Sequence, residues 1–283
     1  QFAISFPIVT DTFMDSRTSN TGKNYGAATT TKVLINSSDG SVCRGLFQLP
    51  SELSVYATSQ IAKATVLFYV WQDNTTNLDI TLFPLSHSFV EGTGNGTMTA
   101  DGAAWNTYDG LNAWSNPGGD FDTNYPVVGV KEKVLDPDAN DRFFSWDITA
   151  LLTNETARTE LLAHGALLQI DEVPPPASGM PRAPFTSSDD LSYAETYRPH
   201  VELLVMPRTA SVSRVSMEGE AVTLIFSGCT PYVTNRIERN FDLQQPGGWT
   251  LVTNIVTLGS DTNWTESFQP DWTNAYYRIL CGE

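Results

Sequence analysis

Along the first two hundred residues, apolar positions gather in short runs, each closed by Gly, Pro, Asn or Asp. "FAISFPIV", "TKVLI", "VCRGLFQL", "IAKATVLFYVW", "LDITLFPL", "YPVVGVKEKVL", "RFFSWDI", "GALLQID" and "PHVELLVM" are rich in Val, Ile, Leu and Phe. Runs of this length and composition predict strands, since β-branched and aromatic side chains suit a pleated, half-buried surface. One short helix is predicted at "TNETARTELLAHG", with Asn154 as cap, Leu161 and Leu162 as an apolar edge and Gly165 as stop. Some nine or ten strands without alternating long helices predict a β-sandwich of the jelly-roll type.

The Pro-rich stretch "EVPPPASGMPRAP" (172–184) is expected to be a surface loop, because proline lacks the N–H that a central strand donates. A polar break, "MPRTASVSR" (206–214), divides the chain. After it, "SRVSMEGEAVTLIFSG", "YVTNRIER", "WTLVTNIVTL", "NWTESF" and "AYYRIL" supply about six strands in roughly seventy residues, the size of a fibronectin-type sandwich. The expected fold is therefore all-β: a jelly-roll β-sandwich over residues 1–206, then a smaller fibronectin/Ig-like β-sandwich over 211–283.

Charge narrows the partners. The formal net charge is −16. Such a surface repels phosphate backbones, so nucleic acid is not an expected partner. No apolar run approaches the ~20 residues of a spanning helix, so no membrane insertion is expected. The chain opens on Gln1 without an initiator Met or signal peptide, which suggests a processed, exported protein. Of the three cysteines, Cys229 and Cys281 each end a strand-like run. A bridge between them would close a loop of about fifty residues, worth roughly 3–4 kcal/mol. Cys43 reads as a buried small hydrophobe.

Catalytic signatures are missing from the sequence. It holds no G-x-S-x-G elbow, no H-E-x-x-H and no phosphate-cradling glycine loop. His87, His164 and His200 are isolated from one another. Asp171 and Glu172 are adjacent at a strand end and would point to opposite faces, so they cannot flank one bond. The best metal candidate is "DPDANDRFFSWD", where Asp136, Asp138 and Asn140 alternate as in an irregular Ca²⁺ loop. Asp141 stands where an EF-hand needs Gly, so a solvated acidic turn is the competing reading. No other cofactor is expected. Asn-x-Ser/Thr sequons occur at Asn36, Asn74, Asn95, Asn154 and Asn263.

"WNTYDGLNAWSNPGGDFD" (105–122) interleaves aromatic rings with Asn, Asp and Gly. Trp105, Tyr108 and Trp114 form either a sugar-stacking platform or a self-packed end of the sandwich.

In order along residues 1–206, "DTFMDSRTSNTGKNYGAATTTKVLI", "RGLFQLPSEL", "IAKATVLFYVW", the Trp105–Asp122 loop, "SWDITALL", "GALLQIDE" and "APFTSSDDLSYAETYRPHVELLV" resemble the DNRLRE-type domain of bacterial secreted proteins. The resemblance implies a jelly roll and kinship with a carbohydrate-binding module group that binds alginate. The chain departs from that pattern at Leu49-Pro50 and at Ser187-Ser188-Asp189, where the family has Phe-Asp and Ser-Arg-Glu. The C-terminal unit resembles small β-sandwiches that end many verrucomicrobial secreted proteins.

Two functions stay open. The first is a non-catalytic extracellular or cell-surface structural protein that assembles with copies of itself into a filament or matrix. Its N-terminal strand, with Phe2, Ile4, Phe6 and Ile8 on one face, would be donated to a neighbour. The second is a secreted polysaccharide-binding protein. For a polyanion it would need a local basic patch, for which Lys32, Arg44 and Lys63 are the candidates.

Overall fold

The computed structural model of the chain describes residues 1–70, 79–133, 142–170, 180–206, 210–245, 247–259, 261–267, 269, 272 and 275–281. The fold is all-β, built from antiparallel sheets. Two compact units are present: one comprises Ser5–Ser54 and Lys63–Leu203, the other Gln1–Ile4, Val55–Ala62 and Leu204–Glu283. The smaller unit thus takes in two short segments upstream of the break expected near residue 206. Tyr56, in one of them, is buried and donates its hydroxyl to the Pro231 carbonyl of the same unit at 2.9 Å.

The larger unit and its margins carry β1 (Phe2–Pro7), β2 (Asp11–Asp15), β3 (Thr30–Ile35), β4 (Val42–Phe47), β5 (Ile61–Val70), β6 (Ile80–Pro84), β7 (Val127–Val128), β8 (Val130–Lys133), β9 (Arg142–Asp147), β10 (Ala166–Ile170), β11 (Arg182–Thr186) and β12 (His200–Val205). They form one hydrogen-bonded sheet in the order β1-β12-β5-β11-β3-β4-β10-β6-β7, with β2 on β4, β9 on β5 and β8 on β9. The join between β5 and β11 is thin, a single pair at Phe185↔Val70. There the sheet folds back on itself into two layers. Phe68 of β5 packs on Phe47 of β4 at 5.2 Å and on Phe185 of β11 at 5.5 Å. Trp146 of β9 meets Phe185 at 6.0 Å and donates its indole N–H to the Ile80 carbonyl at 2.9 Å. Each of these buried side chains contributes about 1.5–3 kcal/mol of apolar burial, and the indole's polar edge is satisfied.

The predicted helix is present as α2 (Glu155–His164), preceded by the short α1 (Thr149–Thr153). The Asn154 side chain accepts from the Thr156 and Ala157 N–H groups, both at 3.1 Å. Gly165 ends the helix at φ 85°, where a Cβ would stand 2.3 Å from the Phe47 carbonyl oxygen. Only glycine fits there.

Two expectations are corrected. Residues 182–184, placed in a loop by their prolines, begin β11, which pairs with β3 from Arg182↔Leu34 to Thr186↔Thr30. Its other side meets β5 at one residue only, so the N–H that Pro184 lacks costs little. Further, β1 is not a free arm. It lies beside β12, the Ile8 N–H donates to the Pro199 carbonyl at 2.9 Å, and Phe6 and Ile8 are buried while Phe2 and Ile4 are half-buried. The alternation read from the sequence is real, but the face it covers belongs to its own chain.

The smaller unit adds β13 (Ser211–Glu218), β14 (Ala221–Ser227), β15 (Thr234–Asn240), β16 (Thr250–Val256), β17 (Thr262–Ser267) and β18 (Tyr276–Cys281). They form two three-stranded sheets, β13-β14-β17 and β16-β15-β18. Val222, Leu224 and Phe226 of the first sheet and Ile237 of the second make the core. Cys43, Cys229 and Cys281 are free thiols in the structure, which contains no Cys229–Cys281 bridge. Cys229 follows β14 of one sheet and Cys281 sits opposite Asn235 of β15 in the other, near enough for the charge of Cys281 to bear on the Cys229 thiol.

Candidate functional site

The Trp105–Asp122 loop is packed against itself. Trp114 is buried in a cluster with Met14, Leu46, Phe83 and Leu167, and its indole N–H donates to the Ala104 carbonyl at 3.0 Å. Tyr108 packs against His87 at 4.0 Å, the rings tilted by 36°. Trp105 lies 5.2 Å from the Arg44 guanidinium. Gly118, at φ 91°, presses against the Trp105 ring; a Cβ there would fall 2.6 Å from it. These contacts hold the loop in shape; Trp114 is buried, while Trp105 and Tyr108 are half-buried. Lys32 sits over Phe13 at 4.4 Å, and Arg44 is held by Trp105, Phe121 and the Gly118 carbonyl. Asp136, Asp138 and Asn140, like Asp171 and Glu172, lie outside the described residues; among the described residues no cluster of His, Cys, Asp or Glu is placed to hold a metal.

A different surface carries the candidate site. On the outward face of β1, β12, β5 and β9 runs a groove of about 950 Å³. Its floor includes Leu67, Phe143, His200 and Glu202, and one wall is the segment 188–198, with Ser188, Asp189, Glu195 and Arg198. The strand sequence accounts for this cover. In "TVLFYV", Val66, Phe68 and Val70 face the core, which leaves Leu67 and Tyr69 on the opposite face. Both are buried, so something must lie over them. That cover is the loop "DLSYAETYRP": Tyr197 packs on Tyr69 at 4.7 Å and lies parallel to Phe143 at 6.2 Å, and Tyr193 meets Tyr69 at 5.7 Å. His200 stands edge-on to Phe143 at 6.1 Å. Its Nδ1 lies 2.8 Å from the Arg198 carbonyl, which can only accept, so Nδ1 carries a proton and donates. Nε2 faces Glu202 Oε1 at 4.0 Å.

The wall is anchored from beneath by buried polar groups. Asp11 is almost wholly buried. It accepts hydrogen bonds from the Ser188 N–H at 2.7 Å, the Ser187 hydroxyl at 3.3 Å and the Thr31 hydroxyl. Burial pushes its carboxyl above the usual range, against these bonds. The Asp11 N–H in turn donates to Glu91 at 2.7 Å. Burial, with the nearby charges of Asp11 and Asp189, pushes Glu91 up to about 7. Asn24 fixes the Glu91 segment: its Nδ2 donates to the Glu91 and Ala103 carbonyls at 2.6 and 3.0 Å, and its Oδ1 accepts from Gly94 and Gly26 at 2.7 and 3.1 Å. A chain of contacts therefore runs from Asn24 through Glu91 and Asp11 to the groove wall at Ser188.

Sequence reasoning missed this surface. It set His200 aside as isolated and gave no role to Phe143, Tyr193, Tyr197, Glu195 or Glu202. One signal was present: "VLFYVW" is apolar on both strand faces, so its second face needed a cover. The sequence matches no protein-family model and is similar to no curated protein.

Proposed function

We propose that this is a secreted, non-catalytic protein that binds a polysaccharide chain in the groove on the outer face of β1, β12, β5 and β9. The observation that carries the reading is the combination there of an aromatic ring, Phe143, with side chains that hydrogen-bond hydroxyls: Ser188, Asp189, Glu195, Arg198 and His200. Rings supply the apolar contact that a sugar face needs, and convergent polar groups orient it. The groove's formal charges are three carboxylates, Asp189, Glu195 and Glu202, against one guanidinium, Arg198. That balance favours neutral or amino sugars and disfavours uronates, whose carboxylates would meet like charge. A non-catalytic role fits the position of Glu91. This carboxyl, with the affinity for protons that a general acid needs, does not line the groove and is engaged with the Asp11 backbone.

The test is calorimetric titration against a panel of neutral, amino and uronic oligosaccharides. Binding to neutral or amino sugars that Phe143→Ala weakens tenfold or more supports the reading. Binding confined to uronates, or to no glycan at all, overturns it, as does release of reducing ends. A second reading, a structural subunit that assembles with its own copies, is favoured by the unfinished edges of the smaller unit.

A further inference from the structure

The two sheets of the smaller unit are out of step. Val212, Val215 and Met217 of β13 stand opposite Phe226, Leu224 and Val222 of β14 and so share their inward face. The β14 residues are buried, yet their β13 partners are 37%, 59% and 64% exposed. β13 is the strand of its sheet that approaches β18, so it overhangs the place where a further strand beside β18 would lie. Among the described residues, β18 is paired on one side only, with β15. The opposite margin has the complementary shape. β16 is also paired only with β15, and its inward Val252 and Ile255 are half-buried. Its outward Leu251 and Val256 are 50% and 62% exposed. The strand, "TLVTNIV", holds neither charge nor proline, the usual guards of a free edge.

We propose that β16 of a second copy of this chain seats beside β18, beneath the overhang of β13. The overhang at one margin and the uncovered strand at the other are two halves of one joint. β15 is antiparallel to both neighbours, so β16 and β18 run in the same direction. A copy stacked in the same orientation therefore joins them as a parallel ladder. An uncharged strand also enters without bringing acid to acid on a chain of net charge −16. Self-pairing of two β18 strands fits less well, because each copy would bring its own β13 to the joint and the two overhangs would collide. The joint uses different surfaces on the two copies and does not close, so it propagates as a filament. This inference is independent of the sugar-binding groove.

The test uses the full chain in analytical ultracentrifugation and negative-stain microscopy. V215K/M217K blocks the overhang, and I255K puts a charge on the inward side of the entering strand; Val215 and Met217 are exposed and Ile255 is half-buried, and circular dichroism checks that each variant is folded. Wild type should form concentration-dependent linear oligomers. Each variant alone should associate on the order of a hundredfold more weakly, the cost of burying lysine at an interface core. An equimolar mixture of the two should stop at dimers, because one sound joint remains between them. A monodisperse wild type at millimolar concentration overturns the proposal. So does association that the variants leave unchanged, or a mixture that forms no dimer.

Discussion

Asn24→Asp is nearly isosteric, yet it should destabilise the larger unit in a pH-dependent way. Asn24 is fully buried and uses both ends of its amide: two donated bonds to the Glu91 and Ala103 carbonyls, two accepted from Gly26 and Gly94. The site has no room to relax, since a Cβ on Gly92, Gly94 or Gly102 would stand within 2.7, 2.8 and 2.4 Å of the Asn24 side chain. The aspartate replaces the two-proton donor by an oxygen. When ionised it leaves both carbonyls unpaired, at about 1–3 kcal/mol each, and adds their repulsion. When protonated it donates to one carbonyl only, so one loss remains. The expected loss is about 3–6 kcal/mol at pH 7 and about 1–3 kcal/mol at pH 4, out of a total near 5–15 kcal/mol. At roughly 2–4 °C per kcal/mol for a unit of this size, the midpoint should fall by about 6–24 °C at pH 7. Urea titrations at both pH values, followed by tryptophan fluorescence, measure this. A loss under about 1 kcal/mol at pH 7, or one equal at the two pH values, refutes the account of Asn24 as the fastening of the Glu91 segment.

Glu91 has a folded pKa of about 7, raised from 4.5. The folded state therefore holds that proton more tightly than the unfolded chain. The stability this confers is complete below pH 4.5 and is lost as pH rises to 7, by about 1–3 kcal/mol for a half-buried group. Asp11, also raised, acts in the same direction. Glu91→Gln should flatten the stability profile between pH 4.5 and 7; an unchanged slope counts against it. Gly118→Ala, at positive φ and against the Trp105 ring, should cost roughly 2–4 kcal/mol of stability in thermal melts. Asp11→Ala should loosen the groove wall, seen as faster amide exchange at Ser188 and weaker sugar binding; protection equal to wild type would contradict the anchoring. Cys43, buried and with its thiol pushed up to about 12 by burial, should resist iodoacetamide until the protein is unfolded.

The sequence by itself determined what is local. Alternation and short runs placed most strands, because the period of a pleated strand is written in the chain. The cap at Asn154 and the stop at Gly165 located α2 by backbone chemistry alone. The polar break near 206 lies close to the Leu203–Leu204 boundary but does not mark the upstream segments Gln1–Ile4 and Val55–Ala62 that join the smaller unit. The tertiary structure decided everything that depends on which faces meet. Phe2, Ile4, Phe6 and Ile8 advertise one apolar face, but only the fold says that β12 lies beside it. Trp105, Tyr108 and Trp114 look the same in sequence whether they stack a sugar or one another. Only the fold puts Arg44 beside Trp105 and the Trp114 indole N–H on the Ala104 carbonyl. The groove joins Leu67, Phe143 and the Asp189–His200 segment from three distant parts of the chain, and the step between β13 and β18 exists only once two sheets are stacked. A side chain's spacing fixes the face it occupies; what covers that face is a long-range fact, set by packing and absent from any local pattern.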